Sequence, residues 1–314
     1  MADVIVIGSG VTGLTSAVRL VEAGHQVSVW TRDPLGATTS AVAGGLWWPY
    51  RIEPADRVSA WSLRGLEVFR DLAARPDETG VRLVTGTEAG TGFADVGPWA
   101  REVDGLREAR TDELRGADEH GLRATVPLVD VPAHLTYLSR RLEAAGGRIE
   151  RREAGSLMEA DAPVVVNCSG LGARRLVGDT TVRPVRGQLV VVENPGVEEW
   201  YVAAKWAEAD TTYLLPQPYG LVLGGTAEED SWDLAPDPAV AAAVVERCAR
   251  YVPEVAHAEV LAHKVGLRPA RPSVRLEVEP APDGRRIVHN YGHGGAGVTV
   301  AWGCADEVAE LVGD

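Results

Sequence analysis

The sequence predicts a fold of the α/β class, in which a doubly wound, Rossmann-like domain is interleaved with a mixed-sheet α+β domain. Two observations predict it. The chain opens with a strand, a glycine-rich loop, a helix and a second strand, and strand and helix patterns then alternate without a linker or an internal repeat. The length of 314 residues, 45% of them hydrophobic, allows one large or two moderate domains with an ample core.

The composition excludes several classes of function. The net charge of -14, with lysines and arginines scattered along the chain, argues against nucleic acid as a partner. No apolar run approaches the ~20 residues of a membrane span, and the apolar start reaches a glycine loop too soon for a secretory signal. Cys168, Cys248 and Cys304 lie far apart, which is typical of reduced thiols, and the histidines show no metal-ligand spacing. We therefore expect a soluble, cytoplasmic protein without a metal site.

The opening segment predicts a dinucleotide site. A β-branched run over residues 3–7 predicts a buried strand, and residues 26–31 predict a second one. Between them lies G-x-G-x-x-G, formed by Gly8, Gly10 and Gly13, followed by apolar residues at helical spacing. The first glycine permits a tight turn, the second lets a pyrophosphate approach the backbone, and the third lets helix and strand pack closely. The N-terminus of the helix offers free N–H groups and a positive dipole to the phosphates.

The glycine loop alone does not separate NAD, NADP and FAD. An acidic residue at the end of the second strand usually binds the ribose hydroxyls. Here the sequence has Arg32 followed by Asp33. Asp33 suits the ribose contact, whereas Arg32 suits a 2′-phosphate or a position over the adenosine, and both remain candidates.

The rest of the chain alternates between segments with helical periodicity and segments with strand periodicity. The patterns predict helices over 61–74, 133–145, 239–250 and 298–312, and strands over 81–87, from about 148, and over 164–167, 188–192, 213–216, 221–223 and 287–290. Residues 102–120 are polar and favour neither state.

Six segments together resemble the D-amino-acid oxidase family, in the order in which that family has them. They are the glycine opening, the hydroxyl- and glycine-rich loop at 38–50, and residues 166–170, 186–188, 266–272 and 289–299. The last segment, HNYGHGGAGVT, is long enough to be highly specific. The resemblance implies non-covalently bound FAD, hydride transfer from the α-carbon of a neutral D-amino acid to flavin N5, and release of a 2-oxo acid, ammonia and hydrogen peroxide.

The resemblance also implies the domain division and the cofactor contacts. An FAD-binding domain is expected from residues 1–50, 130–175 and 265–314, and a substrate-binding domain from 51–129 and 176–264. The residues expected to bind FAD are Gly8, Ser9, Gly10, Val11, Thr12, Gly13, Arg32, Asp33, Thr38, Thr39, Ser40, Gly44, Gly45, Leu46, Ala154, Cys168, Ser169, Gly170, Gly294, Gly295, Gly297, Val298 and Thr299. The glycines near the C-terminus leave room for the flavin ring, the last helix directs its positive end at it, and Thr299 is expected to add a hydroxyl there.

The substrate site is expected around Arg268, whose planar guanidinium suits a carboxylate. In the family, the residue matching Tyr213 shares that carboxylate, and the carbonyl matching Gly295 accepts the substrate amine. The resemblance implies a side-chain pocket formed by Leu46, Trp48 and Leu215. Arg271 and Arg275 are expected to form structural ion pairs, Tyr50 a structural contact, and His289 and His293 to be non-catalytic.

One segment departs from the family pattern, because a second, lid-borne tyrosine expected shortly before Tyr213 is missing from 207–212. We expect a smaller lid, with Trp206 and Tyr201 as candidates to fill the gap. A D-aspartate oxidase is the nearest alternative and would need a second cation, for which Lys205 or Arg51 is available. Glycine or sarcosine oxidation is a further alternative, and a nicotinamide dehydrogenase or a non-catalytic nucleotide-binding protein a remote one. The family suggests a homodimer.

Overall fold

The computed structural model of the chain describes residues 1–116, 120–203 and 211–313. Within these ranges the α-helices are α1 Val11–Glu22, α2 Thr39–Val42, α3 Ala55–Leu72, α4 Pro76–Thr79, α5 Val131–Ala144, α6 Ala173–Leu176, α7 Pro238–Ala249 and α8 Gly297–Val312. The strands are β1 Asp3–Ile7, β2 Gln26–Thr31, β3 Val81–Ala89, β4 Arg107–Glu108, β5 Gly121–Val129, β6 Arg148–Arg151, β7 Val164–Asn167, β8 Arg183–Val192, β9 Trp200–Ala203, β10 Thr212–Gln217, β11 Gly220–Gly224, β12 Glu228–Glu229, β13 Val260–Pro280 and β14 Arg286–His293. None of the helices in this part of the chain has the length and apolarity to cross a bilayer.

One half of the sheet is parallel and carries the predicted doubly wound topology. Its strands lie in the order β14-β7-β1-β2-β6, and every neighbouring pair is parallel. The strands are apolar because helices cover them, and α1 packs against both α8 and α5. Val6 and Val166 are fully buried partners on β1 and β7, and Leu14 of α1 is in the same core.

The other half of the sheet is mixed. Its strands follow the order β4-β5-β3-β9-β10-β11-β8-β13, in which β3 and β9 are parallel and the other neighbours antiparallel. A separate core behind β8, β10 and β11 is closed by α7, with Val244 and Cys248 fully buried. The predicted combination of a doubly wound part and a mixed α+β part is therefore confirmed.

Strand β13 belongs to both halves. Its first part pairs with β8 from Val260 to Ala270, and its second part pairs with β14 from Ala270 to Pro280. The register with β14 shifts between Ala270 and Arg275. Hydrogen bonding therefore runs from one half of the sheet into the other along one strand.

Most predicted elements are found with nearly the expected bounds. The strands at 3–7, 26–31 and 164–167 match at both ends, and the helix predicted at 133–145 begins at Val131, where the Asp130 side chain accepts the N–H of Ala133. Helix α3 begins at Ala55, earlier than predicted. Strands β5, β9 and β13 were missed. Both prolines within 266–272 lie on β13 close to the register shift, where pairing with β14 is interrupted and a proline is tolerated.

Candidate active site

A cavity of about 1010 Å³ lies where the two halves of the sheet meet. It is lined by the glycine loop after β1 and by residues of β10, β13 and the turn before α8. Almost all of the sequence-predicted site residues line this cavity. They are Gly8, Ser9, Gly10, Val11, Thr12, Arg32, Asp33, Thr38, Thr39, Ser40, Gly44, Gly45, Leu46, Trp48, Ala154, Cys168, Ser169, Gly170, Tyr213, Leu215, Arg268, Gly294, Gly295, Gly297 and Val298.

The glycine loop has the conformation that its residue types suggest. Gly8 has φ +111°, and a Cβ there would lie 2.5 Å from the carbonyl oxygen of Cys168, the residue after strand β7. A Cβ on Gly13 would overlap the Gly8 carbonyl, so the third glycine lets helix α1 pack directly on the turn. Gly13 accordingly packs behind the turn, whereas Gly8 and Gly10 line the cavity.

Two hydroxyls fix this loop to its neighbours. Ser40 Oγ accepts the N–H of Val11, the first residue of α1, at 3.0 Å. Ser9 Oγ and Thr31 Oγ1 lie 2.6 Å apart, and Thr31 donates to the Asp33 carbonyl. The loop, the end of β2 and helix α2 are thereby held together around the N-terminus of α1.

At this end of the cavity Arg32 and Asp33 pair with each other. Arg32 Nε and Nη2 donate to Asp33 Oδ2 at 2.8 and 2.7 Å, and both side chains are exposed. Nearby, the guanidinium of Arg152 stacks 3.7 Å from the centre of the Trp30 ring. The two candidates that the sequence left open therefore both line the cavity, as one ion pair.

At the opposite end, the turn before α8 brings bare backbone to the cavity wall. Gly294 has φ +54° and donates its N–H to the Pro269 carbonyl at 2.9 Å. A Cβ on Gly295 would lie 3.6 Å from Cδ of Arg268 and 3.7 Å from Cδ1 of Tyr50. This turn therefore places Gly295 directly beside the predicted carboxylate-binding arginine.

The hydroxyl of Thr299 differs from the expectation. It is 1% exposed and does not line the cavity. Its Oγ1 accepts the N–H of Trp48 at 3.2 Å and donates to the Trp48 carbonyl at 3.2 Å. The hydroxyl is thus both acceptor and donor to the Trp48 backbone. Thr299 therefore fixes the segment around Trp48 to α8 and does not present a donor to the cavity.

Arg268 is positioned by backbone on both sides. Its Nη1 donates to the Thr226 carbonyl at 2.9 Å. The guanidinium lies over Gly187 of β8, where a Cβ would be 2.5 Å from Nη1 and 2.6 Å from Cζ. Among the described residues Arg268 has no acidic ion-pair partner, and its side chain lines the cavity.

Tyr213 lies beside Arg268. Its ring packs on the Gly224 and Gly225 backbone, where any side chain would overlap it. Burial raises the pKa of Tyr213, and the positive charge of Arg268 opposes this effect in part. The phenol therefore remains protonated and is a donor next to the guanidinium.

The other arginines of the motif are structural, as predicted. Arg271 binds Asp179 at 3.0 Å and the Ser273 carbonyl at 2.7 Å. Arg275 donates to the Tyr291 hydroxyl and to two glutamates on its own strand. Burial raises the pKa of Asp179, but hydrogen bonds from Thr181, Tyr291 and Arg271 together outweigh it and hold this pKa far below its ordinary value.

The two histidines near the last glycine turn are buried and neutral. His289 has the Asn167 amide 3.2 Å from Nδ1 and the Glu279 carboxylate 3.1 Å from Nε2. His293 lines the cavity, and burial lowers its pKa to about 4. Nothing in this arrangement assigns either residue the role of an acid or base.

The predicted side-chain pocket has an apolar part and an unpredicted polar part. Leu46, Trp48 and Leu215 line the cavity as expected. Tyr50, expected to be structural, lines it too, and so does Glu88 at the end of β3. The only sequence signal for Glu88 is that it is a charged residue in a strand segment of apolar or small residues. That signal does not indicate whether the side chain points into the cavity or towards solvent.

The lid segment is not part of the described chain. Lys205, Trp206 and residues 207–210 lie outside the described residues, so the shortened lid stays a prediction. Tyr201 is buried on β9 and donates to the Leu114 carbonyl at 2.7 Å, away from the substrate pocket. Arg51 lines the cavity, with its guanidinium 5.2 Å from the centre of the Tyr50 ring.

Known proteins resemble this chain over nearly its whole length. The sequence profile described as FAD dependent oxidoreductase matches residues 3–311. A D-amino-acid oxidase of Streptomyces coelicolor is 61% identical over 310 residues, covering 98% of this chain and 96% of that protein. A D-amino-acid oxidase of Rubrobacter xylanophilus is 50% identical over 316 residues, covering 100% and 96%. The crystal structure of a glycine oxidase from Bacillus cereus superposes with a TM-score of 0.80 at 18% identity, covering 99% of this chain and 95% of that one, and so shares the fold.

Proposed function

The chain belongs to the FAD-dependent oxidoreductase family that includes the D-amino-acid oxidases, and on that basis we propose that it oxidatively deaminates neutral D-amino acids. The observation that carries the proposal is the placement of Arg268 and Tyr213 in one cavity with the Gly8 loop and the Gly295 turn. The cavity thus combines groups that suit a carboxylate with a phosphate-binding helix N-terminus.

The residues that line the cavity fit FAD. The N-terminus of α1 behind Gly8 and Gly10 would receive the pyrophosphate, because the absence of side chains lets it approach the N–H groups. The Arg32–Asp33 pair lies where the adenosine would end. Gly44 and Gly295 leave bare backbone at the part of the cavity nearest Arg268, where a planar ring needs room.

When bound, FAD supplies the hydride acceptor for the α-carbon and passes the electrons to O2, while the imino acid hydrolyses to the 2-oxo acid and ammonia. The chain's own residues bind and orient the substrate. Arg268 would hold the carboxylate through its planar fork, and the Tyr213 hydroxyl would donate to the same carboxylate. The Gly295 carbonyl would accept a hydrogen bond from the substrate amine and fix its position.

Stereochemistry follows from three anchors. With the carboxylate at Arg268, the amine at Gly295 and the side chain between Leu46 and Leu215, three substituents of the α-carbon are fixed. The hand of the substrate then decides where the remaining hydrogen points, and we propose that the D-isomer directs it at the acceptor. The leucines and Trp48 favour neutral side chains near the α-carbon.

Anaerobic flavin bleaching tests this function. The purified protein is mixed without oxygen with D-alanine, L-alanine or D-aspartate, and the flavin absorbance is followed. We expect bleaching by D-alanine well before the other two, and hydrogen peroxide on admission of air. Bleaching by L-alanine alone would refute the stereochemical proposal, and bleaching by D-aspartate in preference to D-alanine would make the protein a D-aspartate oxidase.

We also propose a cytoplasmic homodimer. All three cysteines are buried as free thiols, and the family resemblance suggests a dimer. Light scattering during size-exclusion chromatography checks the oligomeric state, and fractionation of the producing cell checks the location. A monomeric species at all concentrations would refute the dimer.

A further inference from the structure

Glu88 is a buried carboxylic acid in the wall of the substrate pocket. It is 2% exposed, lies next to the end of β3 and lines the same cavity as Arg268 and Tyr213. A carboxyl group in such a position is costly unless it finds a partner. The proposed function uses the apolar part of the pocket but assigns no role to this group.

The sheet register places Glu88 opposite the carboxylate-binding end of the site. Glu88 is the direct partner of Val202 on β9, and Val202 is the direct partner of Tyr213 on β10. Direct partners on neighbouring strands point to the same face of a sheet, and all three residues line the cavity. Glu88 and Tyr213 are thus separated by two strand spacings, about 10 Å. A long unbranched side chain can bridge that distance from a carboxylate held at Tyr213, whereas a methyl group cannot.

One oxygen of the Glu88 carboxyl lacks a hydrogen-bond partner among the described residues. Oε2 is buried without one among the described residues, and so is Nε1 of Trp48. The Trp48 indole comes close enough to lower the pKa of Glu88, but not in a geometry that satisfies either group. Burial is the larger effect and raises this pKa to about 8. The pocket wall therefore includes an acid that burial keeps protonated near neutral pH and whose Oε2 has unused hydrogen-bonding capacity.

We propose that Glu88 is a specificity-determining residue that binds the cationic end of a long D-amino acid side chain, such as that of D-lysine. This inference rests on the proposed function and extends it to a second class of substrate. An ammonium group at this position would pair with the carboxylate, whose proton passes to solvent on binding. An apolar side chain of the same length would leave the carboxyl unsatisfied.

A pair of unreactive ligands isolates this contact from catalysis. Hexanoate and 6-aminohexanoate each carry a carboxylate for Arg268 and lack the α-amine. The first ends in a methyl group, like D-norleucine, and the second in an ammonium group, like D-lysine. Binding to the FAD-loaded protein is measured by the rise in melting temperature and by titration of the flavin spectrum. We expect 6-aminohexanoate to bind at least about 10-fold more tightly than hexanoate. The ratio of reduction rates for D-lysine over D-norleucine should show the same preference.

Variants identify the residue responsible. E88L should reverse the preference in favour of hexanoate, and E88Q, which retains shape and polarity, should reduce it to an intermediate value. E102Q makes the same substitution at an exposed position and should keep the wild-type preference. Equal binding of the two ligands to the wild type, or an unchanged ratio in both E88L and E88Q, would overturn the assignment.

Failure of this inference and failure of the proposed function give different results. If D-alanine bleaches the flavin and hexanoate binds in a way that depends on Arg268, but no preference involves Glu88, only the inference fails. If D-alanine does not react and hexanoate binding is indifferent to Arg268, the proposed function fails and the inference falls with it.

Discussion

The guanidinium of Arg268 lies over the backbone of Gly187, so closely that a Cβ at residue 187 would be 2.5 Å from Nη1. The colliding atoms are the far end of a flexible side chain, so the arginine rather than the sheet would yield. G187A should therefore fold normally and lose the alignment of Arg268, with a rise of about 10-fold or more in the D-alanine concentration that half-saturates flavin reduction.

The matched control is G36A, where an added Cβ has nothing within 4 Å. Melting temperature and stopped-flow reduction are measured for both variants. A G187A protein with unchanged saturation would show that the position of Arg268 does not depend on this glycine, and a G187A protein that fails to fold would show that the sheet cannot yield.

Removal of the Arg268 side chain should leave a yellow protein that reacts poorly. R268A loses the only charged group assigned to the substrate carboxylate, so kcat/KM for D-alanine should fall by at least about 100-fold. R268K keeps the charge but not the planar fork, so its kcat/KM for D-alanine should lie between those of R268A and the wild type. R148A, which removes an exposed guanidinium, is the control. Unaltered kcat/KM in R268A would place the carboxylate elsewhere.

Ser40 should contribute to FAD retention through the helix it caps. Its Oγ accepts the first N–H of α1 at 3.0 Å, so S40A leaves that donor unpaired and loosens the loop around the phosphates. We expect the Kd for FAD to rise roughly 2- to 30-fold, as measured by fluorescence recovery of released flavin. S59A, which removes a hydroxyl that bonds within its own helix, should retain FAD like the wild type. Equal retention in S40A would count against this loop as the phosphate site.

The raised pKa of Glu88 predicts a pH-dependent cost to stability. Burial holds it at about 8 in the folded chain, with Trp48 lowering and Asp95 raising it, against an ordinary value of 4.5. The folded state therefore keeps a proton that the unfolded state releases. The contribution of Glu88 to the free energy of unfolding is largest below pH ~4.5. It declines as the pH rises towards 8, by at most about 1.4 kcal/mol per pH unit.

The measurement is urea unfolding of E88Q and wild type between pH 5 and 9. The difference in free energy of unfolding should move in favour of E88Q as the pH rises. Taking this difference cancels the opposite effect of buried His134 and His293, whose pKa values are lowered to about 4 by burial. A difference that is constant with pH would mean that Glu88 titrates normally in the folded protein.

The parts of the fold that the sequence predicts are those whose local pattern and environment agree. The first strand, its glycine turn and α1 follow from β-branched residues, G-x-G-x-x-G and helical spacing; the strand has the expected bounds, and the helix begins within the glycine motif. Strand β13 cannot be predicted in this way, because Pro269 and Pro272 argue against a strand. They are tolerated there only because they lie where β13 exchanges β8 for β14 as its pairing partner. That exchange depends on both halves of the sheet and is invisible in a local window.

The site divides in the same way. Arg268 and the Gly295 turn were predicted from motifs and lie together in the cavity. The Thr299 hydroxyl has a partner that the sequence does not predict: a hydroxyl in a first helical turn can bond either a ligand or a neighbouring loop, and here it bonds the Trp48 backbone. Glu88 escaped prediction because its position depends on the partners of β3 and not on its own sequence neighbours.

The strand shared between the two sheet halves has a consequence for how the protein melts. Since β13 gives backbone hydrogen bonds to β8 with one stretch and to β14 with the next, neither half can detach without breaking a ladder that also carries Arg268. We expect a single cooperative calorimetric transition in place of stepwise loss of two lobes, and tighter cofactor binding should therefore protect the amides of the distant β8 from exchange as well as those of β14.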